Sequence, residues 1–175
     1  VKTAGIDFSS FAVDLVTIDA DSHAAEWRRY PLNGADAFDR TRHVRDAMPP
    51  RTAMIWDDIE ALAIEHPAGK QGTGVMMRLQ GAILACLPRD LLVTPLPPSA
   101  WRKHVGLSGR ASKEDVEKFA KTCLGMRLGM ASDPWRPPFT QMIYFTHESP
   151  SQDACDAFCL ALAVSRLVER PAVVI

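Results

Sequence analysis

The chain has 175 residues, of which 47% are hydrophobic and 23% charged, with a formal net charge of −1. This length fits one domain over residues 1–175, with a core large enough to need neither disulfides nor structural metal. No apolar run approaches the ~18 residues of a membrane span, and no leader is expected ahead of Val1 beyond an initiator methionine.

Thr3 to Phe8 is expected as a short buried strand, with Ser9-Ser10 as a turn into a second strand, Phe11 to Ile18, and a third over Glu26 to Leu32. These three would form an antiparallel meander. Asn33 is the expected N-cap of a helix from Gly34 to Met48, with Asp36 at its third position and Pro49-Pro50 closing it. Residues 51–60 fit no template. Ala61 to Glu65 reads as a buried parallel strand. His66 to Gly74 is a glycine-rich loop, Val75 to Leu87 a helix ended by Pro88, and Leu91 to Thr94 a strand stopped by Pro95, Pro97 and Pro98. Ser99 can cap a short helix through Val105. Ser112 opens another helix, with Asp115 completing a capping box. Ser149, Pro150 and Gln152 predict the start of a last helix running to about Glu169. Strands first, then strands alternating with helices, imply an α/β mixed sheet with helices on both faces.

Three acidic sites, four residues in all, stand where a solvated charge would not. Asp7 ends the first buried strand, Glu65 ends the Ala61–Glu65 strand, and Asp153 and Asp156 share one face at the start of the last helix. A carboxylate ending a buried strand needs a partner or a metal. Singly, Asp7 could cap the turn at Ser9 or Ser10, and Asp153 and Asp156 could complement the helix dipole. Together they suit Mg²⁺ or Mn²⁺, which take oxygen ligands; two such ions about 4 Å apart can clamp a phosphodiester. Two bound divalent ions would move the net charge to about +3.

The order of these motifs resembles the RuvC family of Holliday-junction resolvases. Gly5-Ile6-Asp7 is similar to the family's first motif, Ala63-Ile64-Glu65 to its second, and Asp153-Ala154-Cys155-Asp156-Ala157 to its last. The segment Trp101 to Lys113 resembles its lysine, glycine-punctuated turn and second lysine. The resemblance covers nearly the whole chain and implies an RNase H-like fold: an antiparallel three-strand meander plus parallel strands. It further implies Asp7, Glu65, Asp153 and Asp156 as the catalytic, metal-binding quartet with two ions per site. The implied activity is paired cleavage of four-way or other branched DNA, leaving 5′-phosphate and 3′-hydroxyl ends. It also implies a homodimer built on the helix Val75 to Leu87, whose Gly81, Ala82 and Ala85 lie beside Met76, Met77, Leu79 and Ile83. Phe8-Ser9 replaces the family's Pro-Gly after the first Asp, and His66-Pro67-Ala68-Gly69 lacks its aromatic near the junction centre. Such divergence suits a phage-encoded member, placing the protein in a bacterial or phage-infected cytoplasm. Within the fold, the Gly-Ile-Asp-Phe opening also fits a YqgF-like or ribonuclease H-type enzyme acting on RNA. A catalytically silent branched-DNA-binding module would share the basic surface without cutting.

That surface is expected over Ala100 to Arg127, where Arg102, Lys103, Arg110, Lys113, Lys118, Lys121 and Arg127 face only Glu114, Asp115 and Glu117. Lys103, Arg110 and Lys113, at turns and a helix start, are the expected phosphate contacts, with Arg102 beside them. Lys118 and Lys121 read as a solvated helix face. Lys70 and Gln71, in the loop after Glu65, are within reach of a strand near the cut. Cys86, Cys123, Cys155 and Cys159 form no CxxC pair and read as buried thiols in a reducing compartment. Trp27, Trp56, Trp101 and Trp135 are expected in the core or a lid and carry no assigned function.

Overall fold

A computed structural model describes residues 1–21, 24–67, 73–124, 143–144 and 151–169. Three strands, β1 (Lys2–Phe8), β2 (Ala12–Asp19) and β3 (Ala24–Pro31), form the expected antiparallel meander. Ser9 closes the first turn: its Oγ accepts from the backbone N–H groups of Phe11 and Ala12, both at 3.2 Å. β4 (Ile59–Glu65) lies parallel to β1, and β5 (Leu92–Leu96) lies parallel to β4. A two-residue strand, β6 (Ile143–Tyr144), pairs in parallel with β3 and has no counterpart in the sequence reading. The sheet order is β5-β4-β1-β2-β3-β6. This is an RNase H-like mixed α/β sheet, as the sequence implied.

Side chains on a strand alternate between faces. Ala4, Ile6 and Phe8 of β1, Val13 and Leu15 of β2, and Leu62 and Ile64 of β4 build one core layer with α1 (Ala37–Ala47) and α2 (Thr73–Leu84). The opposite layer takes Val16 and Ile18 of β2 and Ala61 and Ala63 of β4. It meets α3 (Pro98–His104), α4 (Lys113–Cys123) and α5 (Gln152–Val168). Helices therefore cover both faces.

α5 lies directly on β1, and Gly5 permits it. A Cβ at Gly5 would stand 2.0 Å from the Ala157 carbonyl oxygen and 2.4 Å from the Ala161 nitrogen. Thr3, two residues earlier on the same face, donates its hydroxyl to the Ala161 carbonyl at 3.2 Å. This close approach sets the first turn of α5 beside the end of β1.

Several boundaries differ from expectation. Asp36, not Asn33, caps α1: Oδ1 accepts from the Phe38 and Asp39 amides at 2.9 and 2.8 Å, so Gly34 and Ala35 precede the helix. α5 starts at Gln152 with Ser151 as its cap, accepting from the Ala154 amide at 3.2 Å; Ser149 and Pro150 lie outside the described residues. β5 runs through Pro95, which pairs with Ile64. An edge strand tolerates a proline, since one side of its backbone has no neighbour to receive a hydrogen bond. α2 ends at Leu84, and tighter turns carry the chain to Leu87, with the Cys86 amide donating to Ile83 and that of Leu87 to Leu84. α3 begins at Pro98 behind Pro97, two residues earlier than a Ser99 cap allows. Residues 51–60 hold a single turn of tight helix, Met54–Trp56, and then Asp58 with φ of 67°. Asp is among the few residues that take this left-handed conformation readily.

Candidate active site and nucleic-acid interface

Asp7 is the last residue but one of β1, at the centre of the sheet, and it is 6% exposed. It shares the α5 face with Thr3 and Gly5 by strand alternation. Glu65 ends the neighbouring parallel strand on the same face as Ala61 and Ala63. Asp153 and Asp156 stand in the first turns of α5, which Gly5 admits against β1. Asp156 is buried and Asp153 half-buried.

The carboxyl groups feel one another. Burial raises the Asp7 pKa well above the ordinary carboxylate range, and the charges of Glu65, Asp156 and Asp153 raise it further. Glu65 is pushed up to about 7, chiefly by burial and also by Asp156 and Asp153, while the Trp101 hydrogen bond and the Arg102 charge oppose the rise. Asp156 rises to about 6, again mainly through burial, with Gln152, Arg102 and Lys113 opposing. Like charges gathered in a poorly solvated place produce this pattern.

Two of the carboxylates are held by neutral donors. Trp101 Nε1 donates to Glu65 Oε2 at 3.2 Å, and Gln152 Nε2 donates to Asp156 Oδ1 at 3.0 Å. Each bond engages one oxygen of its carboxylate. Gln80, buried in α2, donates its Nε2 to the Glu65 carbonyl at 3.0 Å and secures the backbone there. As the side chains lie, no three His, Cys, Asp or Glu among the described residues are grouped tightly enough to hold one ion. The donor set itself is all oxygen, multiply anionic and only partly committed to hydrogen bonds. That fits Mg²⁺ or Mn²⁺ and suits softer metals poorly.

The basic residues divide. Lys113, the first residue of α4, is exposed, and its charge lowers the Asp156 pKa, so it borders the carboxylates. Arg102 lies 5.1 Å from the Trp101 ring, and its charge reaches both Glu65 and Asp156. Lys103 and Arg110 are exposed, and Gly109 packs against the Lys103 stem, where a Cβ would sit 3.0 Å from Cε. Lys121 is engaged by Glu117 on its own helix. Lys70, Gln71, Arg127 and Trp135 lie outside the described residues.

All four cysteines are free and buried. Trp56 and Trp101 are core residues. Trp101 also holds Glu65, a role the sequence reading did not give it. A buried indole N–H needs an acceptor, which was the available signal. The sequence reading also missed Asp14. It is fully buried in β2, directly opposite Asp7 on one side and Arg29 on the other.

Thermus thermophilus RuvC superposes with a TM-score of 0.62 at 18% identity, over 97% of this chain and 96% of that one. The chain has a RuvC-like fold. The same T. thermophilus protein in complex with Holliday junction substrate matches at a TM-score of 0.62 and 15% identity, with the same coverage. No family model matches the chain, and no curated protein does. At such identities the likeness is one of fold, so the roles of individual RuvC-like positions rest on the geometry above. No helix among the described residues is long and apolar enough to cross a membrane.

Proposed function

We propose that this protein is a divalent-metal-dependent endodeoxyribonuclease that resolves Holliday junctions or other branched DNA by paired phosphodiester cleavage, leaving 5′-phosphate and 3′-hydroxyl ends. The observation that carries the reading is the convergence of Asp7, Glu65, Asp153 and Asp156 on one face of a RuvC-like sheet, from β1, β4 and α5. A RuvC of this fold is known with a bound Holliday junction.

Asp7, Glu65, Asp153 and Asp156 would hold two Mg²⁺ or Mn²⁺ ions. When bound, such ions supply a hydroxide nucleophile and stabilise the leaving oxygen of the phosphodiester. Asp7, central and most deeply buried of the four, would be the central ligand of that metal site. Trp101 and Gln152 each engage one oxygen of Glu65 and Asp156, and the second oxygen of each would be the one offered to metal. Lys113 and Arg102 border the carboxylates and can receive the phosphates flanking the cut, while Lys103 and Arg110 extend the cationic surface along α3 and the following turn. Lys70 and Gln71 remain candidates for contacts from the loop after Glu65. Two symmetric cuts call for a two-fold homodimer, with α2 as the helix that joins the protomers.

The test compares four-way junction, flap, linear duplex and RNA–DNA hybrid substrates, with Mg²⁺, with Mn²⁺ and with chelator. Asp7→Asn is expected to bind junctions like the wild type while cleavage falls by about 10²–10³-fold or more, the scale of losing a charge-stabilising group. Lys103→Ala with Lys113→Ala should weaken junction binding and flatten its salt dependence by roughly one unit of slope per lost phosphate contact. Near-normal cutting by Asp7→Asn would remove the quartet from the chemistry. Preference for the hybrid would favour an RNA-directed enzyme, and junction binding without cutting a silent module.

A further inference from the structure

We propose that Asp14 and Arg29 form a strut, buried at its Asp14 end, that positions the Asp153 carboxylate for metal, making Arg29 a positioning residue of the site. The inference rests on the metal-site reading above and extends it to two residues outside the quartet.

Asp14 stands in the middle of β2 on the face that receives α5, and its side chain is wholly buried. A carboxylate there must be neutralised or hydrogen-bonded. Trp27 Nε1 donates to its Oδ1 at 2.8 Å. Oδ2 accepts no hydrogen bond among the described residues and instead faces Arg29 Nη1 at 3.4 Å. Arg29 is the direct cross-strand partner of Asp14 on β3. Anchored at that end, its guanidinium extends to the start of α5. Nη1 donates to Ser151 Oγ, the helix cap, at 3.2 Å, and Nη2 lies 3.7 Å from Asp153 Oδ2.

The guanidinium thus serves three groups from one plane. Nη1 faces both Asp14 of the sheet and the Ser151 cap, while Nη2 faces Asp153 in the first turn of α5. Asp156 already has Gln152 to orient it, and Glu65 has Trp101. Arg29 is the corresponding partner of Asp153. A lysine could not substitute fully, because a single ammonium cannot span the separated directions that two guanidinium nitrogens cover. If Arg29 only joined sheet to helix, its loss would lower stability and leave metal binding alone. If it positions Asp153, metal binding suffers through Asp153 specifically.

The experiment is calorimetric titration of the purified full chain with Mn²⁺, with no DNA present, alongside circular dichroism and thermal melting. Arg29→Met should weaken Mn²⁺ binding by about tenfold, as loss of an orienting partner of a ligand does. Asp14→Asn should shift it the same way by less, since the amide keeps the shape but releases the guanidinium. Arg29→Lys should recover only part of the affinity. In an Asp153→Asn background, Arg29→Met should have no further effect on Mn²⁺. Unchanged or tighter Mn²⁺ binding by a folded Arg29→Met, or by Asp14→Asn should the former fail to fold, overturns the positioning role and leaves the metal site standing. So does an equal loss from Arg29→Met with and without Asp153. A wild-type protein that binds no Mn²⁺ at millimolar concentration removes the metal-site reading, and this inference with it.

Discussion

Glu65 and Asp156 hold protons to unusually high pH because burial penalises their charged forms before any neighbour acts. The neighbours then pull in both directions: other carboxylates raise the two pKa values, while Trp101, Gln152, Arg102 and Lys113 lower them. The consequence for stability has a definite sign. Where the folded pKa exceeds the unfolded one, the folded state binds more protons, and stability falls as pH rises between the two values. For Glu65 that interval runs from 4.5 to about 7, and for Asp156 from 3.8 to about 6. Asp7 and Asp14 shift in the same direction. In chelator, the melting temperature should therefore decline between about pH 4 and about pH 7. Glu65→Gln should flatten the decline, and millimolar-scale Mn²⁺ should offset it by binding the ionised carboxylates of the folded state alone. Differential scanning calorimetry across that range checks this. Equal slopes for wild type and Glu65→Gln would mean that Glu65 is not held in the protonated form by its surroundings. The four carboxylates proposed as metal ligands stand out in the sequence because each interrupts or ends an apolar run. Asp14 also lies in an apolar strand, but its meaning depends on Arg29, fifteen residues away, and only the β2–β3 register makes them neighbours.

Among the elements, the pairing of β1 with α5 decides whether a site exists at all. Gly5 is the contact point, and α5 backbone atoms occupy the space where a side chain would go. Backbone cannot move aside as a flexible side chain can, so Gly5→Ala must push α5 off the sheet. Overpacking of this kind costs about 1–3 kcal/mol or more. We expect Gly5→Ala to lower the urea midpoint and to cost cleavage more than its stability loss explains, because Asp153 and Asp156 move with the helix. Gly81→Ala is the matched control for the urea midpoint alone, since a Cβ there meets nothing within 4 Å of its own chain. Equal midpoints for the two variants would show that α5 does not rest on Gly5. The glycine in Gly5-Ile6-Asp7 was visible as part of a motif, but its steric purpose was not, because its partner lies some 150 residues on in sequence, the separation at which Thr3 meets Ala161. Local signals did better where both partners are local. The Ser112–Asp115 capping box formed as read. Competition between nearby candidates defeated the reading at Asn33 against Asp36 and at Ser149 against Ser151. The pairing of β6 with β3 is likewise a long-range contact that two apolar residues cannot announce.

For the whole molecule, the proposed chemistry makes a demand that a single chain cannot meet. Paired cuts across a four-way junction require two copies of the site related by a two-fold axis. The outward side of α2 offers the surface for that pairing. Met77 and Leu84 are 42% and 36% exposed, and Gly81 between them has open space at its Cβ position. Positions 77, 81 and 84 fall on one helix face, so a partner helix could lie close across Gly81. Ala82, read from the sequence as part of this face, instead packs toward the core of its own chain. A charge meant to split the dimer therefore belongs at Gly81 or Leu84. Gly81→Glu and Leu84→Glu should stay folded, since both positions face outward, and should sediment as monomers where the wild type sediments as a dimer at about 10 μM. Junction cleavage by these monomers should yield uncoordinated single nicks in place of paired cuts, with the carboxylate site itself intact and Mn²⁺ binding per chain unchanged. A wild-type monomer at about 100 μM, or Leu84→Glu forming dimers like the wild type, would exclude α2 as the joining helix. Paired cutting would then have to come from copies that meet only on the junction.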